Sequence, residues 1–350
     1  MILSTSTYPQ APCHPIRVLL LFAFETAFPM KLPTISSPGL AVLAGISLVS
    51  PAFAVVTTTD TFGSGGNAFT MDFVTVGNPG NTADTTGDPN PAGSVAYTYR
   101  MGSYEVSEDM ITKANAAGSL GITKDARGTN KVATSISWNE AARFVNYLNV
   151  TSGSTVAYKF STQPGDGGYN VNASITLWAP GDVGYDINNP FRNSNARYFL
   201  PSENEWYKAA YYSSTGTYYD FATGSDTIPT AVASGTVGAV YNGQAGPADI
   251  TSAGGLSPYG TMGQGGNAWE WMESEYDGVN DSSGSSRGLR GGAWNSLGDS
   301  AGFLRSWARF DFDPTVESNA LGFRVASVPE PSAMVLTILF SAGLVCRRKR

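Results

Sequence analysis

The sequence predicts an α+β domain with little regular secondary structure. Three observations lead to this fold class: only three segments carry clear helix start signals, stretches that alternate polar and apolar residues are short, and the segments between them are rich in Gly, Asn, Ser and Thr. Glycine occurs 40 times in 350 residues, and it favours turns over helices. A few helices and short strands joined by such loops are typical of an α+β domain.

Two segments early in the chain have the pattern of strands. Residues 68–76, Ala-Phe-Thr-Met-Asp-Phe-Val-Thr-Val, alternate apolar and polar side chains, and residues 95–101 are similar. The residues between them, 77–93, have the composition of a loop. We therefore expect a strand and loop extension over residues 55–97, ahead of the main domain.

Three helices are expected to begin at recognisable caps. Ser107 precedes two acidic residues, whose charge suits the positive first turn of a helix. Ser137 and Ser202 each begin a capping box, because a Glu follows three residues later. Trp206 lies in the third helix, and we expect it to pack in the core.

The N-terminus has the pattern of a secretory signal peptide. Lys31 precedes the apolar residues 40–49, and residues 52–54, Ala-Phe-Ala, have the A-x-A form of a cleavage site. We predict that residues 1–54 are a leader and that Met30 is the true start. The alternative is one long signal peptide that includes the residues before this methionine.

The C-terminus, residues 328–350, consists of three parts. Residues 329–331 are Pro-Glu-Pro, residues 333–346 are mostly apolar, and residues 347–350 are Arg-Arg-Lys-Arg. This order resembles the PEP-CTERM sorting signal of Gram-negative bacteria. The resemblance implies recognition by an exosortase-type enzyme, with the protein first anchored in the membrane and then released to the cell surface or extracellular matrix. A plain membrane anchor is the alternative.

The core between these ends, residues 55–329, is acidic and contains no Cys or His. It has 15 Lys and Arg residues against 26 Asp and Glu residues, a net charge of −11, which excludes nucleic acid as a partner. Cys13, Cys346 and His14 all lie outside it, so the core contains no disulfide. We expect contact with a membrane only through the tail.

A series of motifs between residues 98 and 327 resembles the formylglycine-generating enzymes, the sulfatase-modifying factor family. The motifs are Tyr104-Glu-Val-Ser107, Ser137-Trp138 with Glu140-Ala141, Leu200-Pro-Ser-Glu-Asn-Glu-Trp206, Gly266-Asn-Ala-Trp-Glu-Trp271, Leu289-Arg-Gly-Gly-Ala-Trp294 and Leu321-Gly-Phe-Arg-Val325. The resemblance implies a variant of the C-type lectin fold, formed by residues 98–327 as a single domain.

The resemblance also indicates which catalytic groups are missing. Active members of the family hold copper through two cysteines that follow the Gly-Gly pair, here Gly291 and Gly292, and the matching positions are Ser296 and Ala301. Copper(I) requires soft sulfur ligands, so we expect neither copper nor formylglycine-generating activity. A catalytic serine would need a base, usually a His, and the core has none.

Calcium is the metal that the resemblance still allows. The family site implies Gly266 and Ala268 as backbone ligands and Glu270 as the side-chain ligand. Two departures weaken the match: Gly263 stands where the family often has Asp or Asn, and Asn242 lacks an acidic partner for a second site. Alternatively, Glu270 binds backbone amides or an arginine.

The remaining motif residues suggest a ligand groove where active relatives hold a substrate peptide. We expect the groove to be lined by Trp294, Asn295, Arg305, Trp307, Arg309 and Phe310. Its arginines could recognise a carboxylate or phosphate; alternatively they, with Arg290 and Arg324, pin loops to carbonyls and buried acids. The predicted function is a non-catalytic, surface-sorted protein that binds exopolysaccharide or peptide. An enzyme with altered chemistry and a structural matrix protein are the alternatives.

Overall fold

The computed structural model describes residues 55–297 and 300–329. The predicted leader, the sorting tail from residue 330 onward and Asp299 lie outside the described residues. Every described residue belongs to one of the two compact units into which contacts divide the chain. Within this part of the chain, no helix has the length and apolar character needed to cross a membrane.

Two sheets and three helices form the regular structure of the described residues. The first sheet has the order β1-β2-β3-β9-β4 and consists of β1 Thr57–Phe62, β2 Phe69–Val76, β3 Tyr99–Gly102, β9 Ala326–Ser327 and β4 Tyr198–Phe199. The second has the order β7-β6-β5-β8 and consists of β7 Phe310–Phe312, β6 Arg287–Arg290, β5 Trp269–Glu275 and β8 Leu321–Gly322. The helices are α1 Glu108–Gly118, α2 Trp138–Thr151 and α3 Glu203–Tyr211, with 3-10 turns at Gly65–Asn67 and Ser300–Leu304. This mixed α/β fold with few helices confirms the predicted class.

All three predicted helix caps are present. The Ser107 hydroxyl accepts a hydrogen bond from the backbone of Met110. Ser137 and Ser202 both complete capping boxes, with their hydroxyls accepting from the N–H three residues later and their own N–H groups donating to the Glu carboxylate there. These motifs are predictable because each is satisfied within four residues of chain.

The two predicted strands form, although the second is shorter than expected. β2 covers nearly the whole predicted segment, but β3 begins at Tyr99, four residues after the predicted start at Val95. The backbone of Val95 pairs instead with the preceding loop: its N–H donates to Asn81 Oδ1 at 3.1 Å and its carbonyl accepts from Gly80 at 2.8 Å. Since β2 pairs with β3, the first sheet crosses the boundary predicted at residues 97 and 98.

A pair of tryptophans ties the start of α2 to β5 inside the core. Trp138 donates its indole N–H to Met272 O and Trp271 donates to Ile136 O, both at 2.8 Å. Both side chains are fully buried, as is Trp206, whose core position is confirmed. These bonds fix β5, and through its partner β6 they fix the segment that carries the predicted site.

Candidate ligand-binding pocket

The Gly-Gly pair ends β6 with a sharp turn. Gly291 and Gly292 have φ angles of +102° and +77°, which residues with a side chain rarely adopt. A Cβ on Gly291 would also lie 3.0 Å from Gln264 O, so the backbones approach closely there. The turn leads the chain out of the sheet into the loop that carries the predicted site residues.

Ser296 and Ala301, which stand at the family cysteine positions, have no catalytic neighbour among the described residues. Ser296 Oγ accepts a hydrogen bond from the backbone of Ala293 at 3.3 Å, and Ala301 packs against the small apolar cluster around Leu304. No group of three or more His, Cys, Asp or Glu side chains among the described residues could hold a metal ion. An alcohol and a methyl group do not fit copper(I), so we derive no copper chemistry here.

A single carboxylate holds two of the motif arginines. Glu203, at the start of α3, accepts from Arg290 Nε at 2.9 Å and Nη2 at 2.7 Å, and from Arg309 Nε at 2.7 Å and Nη2 at 2.6 Å. Arg290 also donates to Ser306 O and Ala308 O at 2.8 and 3.1 Å. We call these three charged residues the Glu203 clamp; it fastens β6 and the following loop to α3.

Glu270 has the arginine partner that the alternative interpretation expected. Arg324 donates to both of its oxygens, at 2.6 and 2.5 Å, and the indole N–H of Trp206 adds a third bond at 2.6 Å. Glu270 and Arg324 are fully buried. An ion at Glu270 would have to displace this guanidinium, so the contacts fit the arginine better than calcium, and calcium binding stays a prediction.

A second buried carboxyl, Glu105, lies beside this pair. It accepts from Asn267 Nδ2 at 2.5 Å and from the backbone of Ala268 at 3.2 Å. The pKa of Glu105 is raised well above its usual range, mainly because the carboxyl is buried and also because the negative charge of Glu270 is close. A Cβ on Gly263 would lie 2.7 Å from its carboxylate, so Glu105 fills the space beside the position where the family often has Asp or Asn.

An open pocket of about 400 Å³ lies on the outer side of the Glu203 clamp. It is lined by Asp88, Gly302, Phe303, Trp307, Ala308, Arg309 and Phe310. Trp307 is 51% exposed and Phe310 is 43% exposed. Phe303, Phe310 and Trp269 form a ring cluster with centroid separations of 5.0 to 5.8 Å, which holds Phe310 in place.

The structure brings together only part of the predicted groove. Trp307, Arg309 and Phe310 line the pocket. The other three predicted residues do not line the pocket. Trp294 and Asn295 both bond to Asn319, at 3.2 and 3.3 Å, and Arg305 pairs with Asp220 at 2.8 Å.

Four pocket residues were missed from the sequence: Asp88, Gly302, Phe303 and Ala308. Asp88 belongs to the loop ahead of β3, and this loop is anchored by Tyr207, whose hydroxyl donates to Asp84 at 2.6 Å, and by a bond from Arg290 to the carbonyl of Asp88. No local pattern marks such a long-range contact. Phe303 lies between the Gly-Gly pair and Trp307, and its aromatic side chain is the one feature of the sequence that could have marked it as a groove residue.

Comparisons with known proteins agree with this architecture. The family model for the sulfatase-modifying factor enzyme 1-like domain matches residues 68–328. Among solved structures, Treponema denticola variable protein 1 is 21% identical, with a TM-score of 0.53 over 79% of this chain and 100% of that chain. The crystal structure of CarF is 17% identical, with a TM-score of 0.50 over 74% of this chain and 99% of that one. No curated protein matches significantly. At these identities, the structural likeness shows the fold alone.

Proposed function

Because the chain belongs to the family of sulfatase-modifying factor enzyme 1-like domains, we propose that it is an exported member that binds a ligand without catalysis. The ligand is exopolysaccharide or peptide, held in the pocket of Trp307, Phe310 and Asp88. The N-terminal leader pattern and the Pro-Glu-Pro tail support export and sorting to the cell surface or matrix.

The chemistry of the core supports a role without catalysis. Residues 55–329 contain no Cys or His, so thiolate and imidazole metal ligands and the usual base for a serine nucleophile are missing. The retained motif arginines were the main reason to consider an enzyme with altered chemistry. Three of them are committed to buried acids, Arg290 and Arg309 to Glu203 and Arg324 to Glu270, which favours a role in the framework.

The exposed aromatic side chains of the pocket are the observation that carries the proposal. A tryptophan at 51% exposure beside a half-exposed phenylalanine leaves flat apolar surface open to solvent. Such rings stack on the apolar face of a sugar, and a neighbouring carboxylate can accept hydrogen bonds from its hydroxyls. These features favour a glycan over a peptide, although both classes fit the fold.

Screening the full chain against glycan and peptide arrays tests the proposal, with Trp307→Ala as the diagnostic variant. We expect the variant to lose about tenfold or more in affinity, because a central aromatic anchor usually dominates binding. Phe312→Ala is the matched control: Phe312 lies on β7, the strand that begins at the pocket residue Phe310, and is 43% exposed, but it does not line the pocket. Unchanged binding by Trp307→Ala would exclude the pocket, and no binding to either array would favour a structural matrix role.

A further inference from the structure

We propose that this pocket selects glycans whose sugar residues carry a free amino group. This step rests on the proposed function, since it names the ligand chemistry of the same pocket. Its basis is the combination of exposed aromatic rings with an excess of negative charge within and beside them.

The charge that a ligand can reach inside the pocket is negative. Nε and Nη2 of Arg309 both donate hydrogen bonds to Glu203, and Nη2 also donates to Tyr276 O at 2.7 Å. Its remaining nitrogen, Nη1, lies 3.7 Å from Asp88 Oδ1, beyond hydrogen-bond distance. The side chain of Asp88 is 53% exposed, whereas that of Arg309 is 8% exposed. An incoming ligand therefore meets the carboxylate of Asp88 first.

The excess of charge comes from the flank of the pocket. Together the clamp and Asp88 are neutral, because two arginines face two carboxylates. On the neighbouring side, Glu275, Asp277 and Asp311 line a second pocket of about 200 Å³. The two pockets adjoin at Arg309, which lines the aromatic pocket and lies over the ring of Tyr276, a residue of the acidic pocket. Within the described part of the chain, Asp277 and Asp311 form no ion pair, and their charge stays uncompensated.

The aromatic rings add a second preference for a cation. An ammonium group is attracted to the face of a Trp or Phe ring, and most strongly to Trp. The Trp307 ring is half exposed, and among the described residues no arginine or lysine lies over it. By contrast, Arg309 already lies 4.2 Å from the ring centroid of Tyr276. Trp307 is therefore the ring that an incoming ammonium group can use.

An amino sugar fits these groups better than a basic peptide or an acidic glycan. It presents the apolar face of its ring to Trp307 and a positive charge to Asp88, whereas a lysine side chain presents the charge without the ring. A uronic acid sugar brings a negative charge to a surface that is already negative, and it is repelled.

Three hexasaccharides with the same β-1,4-linked glucan backbone provide the test. They are the glucosamine hexamer, the N-acetylglucosamine hexamer and cellohexaose, titrated against the full chain by calorimetry at mildly acidic pH, where the free amines are charged. We expect the glucosamine hexamer to bind about fivefold more tightly than the two neutral hexamers, with the advantage falling as salt is added. In Asp88→Asn this advantage should disappear, so that the three hexamers bind the variant with similar affinities.

Asp72→Asn is the matched control, because it makes the same change on β2 in the other sheet and should keep the preference. Equal binding of all three hexamers by the wild type would overturn the amine preference while leaving the proposed function standing. Binding of none would overturn the amine preference, whereas the proposed function falls only if the glycan and peptide arrays also show no ligand. A lysine hexapeptide that competes as well as the glucosamine hexamer would replace the sugar with a basic peptide. A preference retained in Asp88→Asn would overturn the assignment to Asp88.

Discussion

Removing the charge of Glu203 should cost far more stability than removing that of any exposed acid in the domain. Glu203→Gln keeps the shape of the side chain but replaces one acceptor oxygen with an NH₂ donor. Glu203 accepts four hydrogen bonds from Arg290 and Arg309. Arg290 is fully buried, so the substitution leaves a buried guanidinium without its counter-charge.

The size of the effect follows from the burial of the partners. Breaking a buried ion pair by removing one partner typically costs about 3–5 kcal/mol, because the remaining charge has lost its compensation. Arg290 keeps two backbone acceptors, Ser306 O and Ala308 O, which limits the loss. The side chain of Arg309 is 8% exposed and can gain some hydration once it is released. We therefore expect a loss of about 4 kcal/mol in the free energy of unfolding.

Urea unfolding of the full chain, followed by fluorescence, measures this loss. Asp220→Asn is the control, because Asp220 also pairs with a motif arginine, but the two side chains are 47% and 28% exposed. An exposed pair of this kind is worth less than about 1 kcal/mol. If Glu203→Gln costs no more than Asp220→Asn, the Glu203 clamp does not stabilise the fold as described, and the reasoning from burial is wrong.

Two further predictions concern a buried lysine and the Gly-Gly turn. Burial lowers the pKa of Lys208 to about 8, below its unfolded value of about 10.4, so the unfolded state binds more protons between these values and stability rises with pH through that window. Relative to Lys208→Met, the wild type should gain about 1 kcal/mol in unfolding free energy from pH 7 to pH 9. If urea titrations give the same difference between the two proteins at both pH values, the prediction is wrong. Gly291→Ala should lower the free energy of unfolding by about 2 kcal/mol, because φ is positive at this position and the added Cβ would lie 3.0 Å from a backbone carbonyl oxygen. The control is Gly284→Ala, whose added Cβ would meet nothing within 4 Å and should change the melting curve little. Equal melting shifts for the two glycine variants would refute the strain at the turn.

The features that could be predicted from the sequence are those that short segments decide. The helix starts at Ser107, Ser137 and Ser202 depend on neighbours a few residues away, and each forms as expected. The start of β3 was wrong by four residues, because the side chain of Asn81 binds Val95 across a loop. A pattern within one strand contains no information about that competitor.

In the candidate site, too, the features that depend on long-range contacts could not be predicted from the sequence. Trp294 and Trp307 were both predicted to line the groove, yet one bonds to Asn319 and the other faces the pocket. Which side of the loop each occupies depends on the Gly-Gly turn and on the Glu203 clamp. The alternative for Glu270, an arginine partner, could be formulated from the sequence, but identifying Arg324 required the folded chain.

The inward direction of the clamp has a consequence for how such domains can diverge. Glu203 holds the loop from the inner side, while the side chains of Trp307 and Asp88 are half exposed. Under the proposed function, substituting these outward side chains changes recognition without loosening the scaffold, so drift in ligand preference and retention of fold are separable. Duplicated copies of a gene for this domain could therefore acquire new targets through a handful of exchanges at solvent-facing positions, with the internal salt links left untouched.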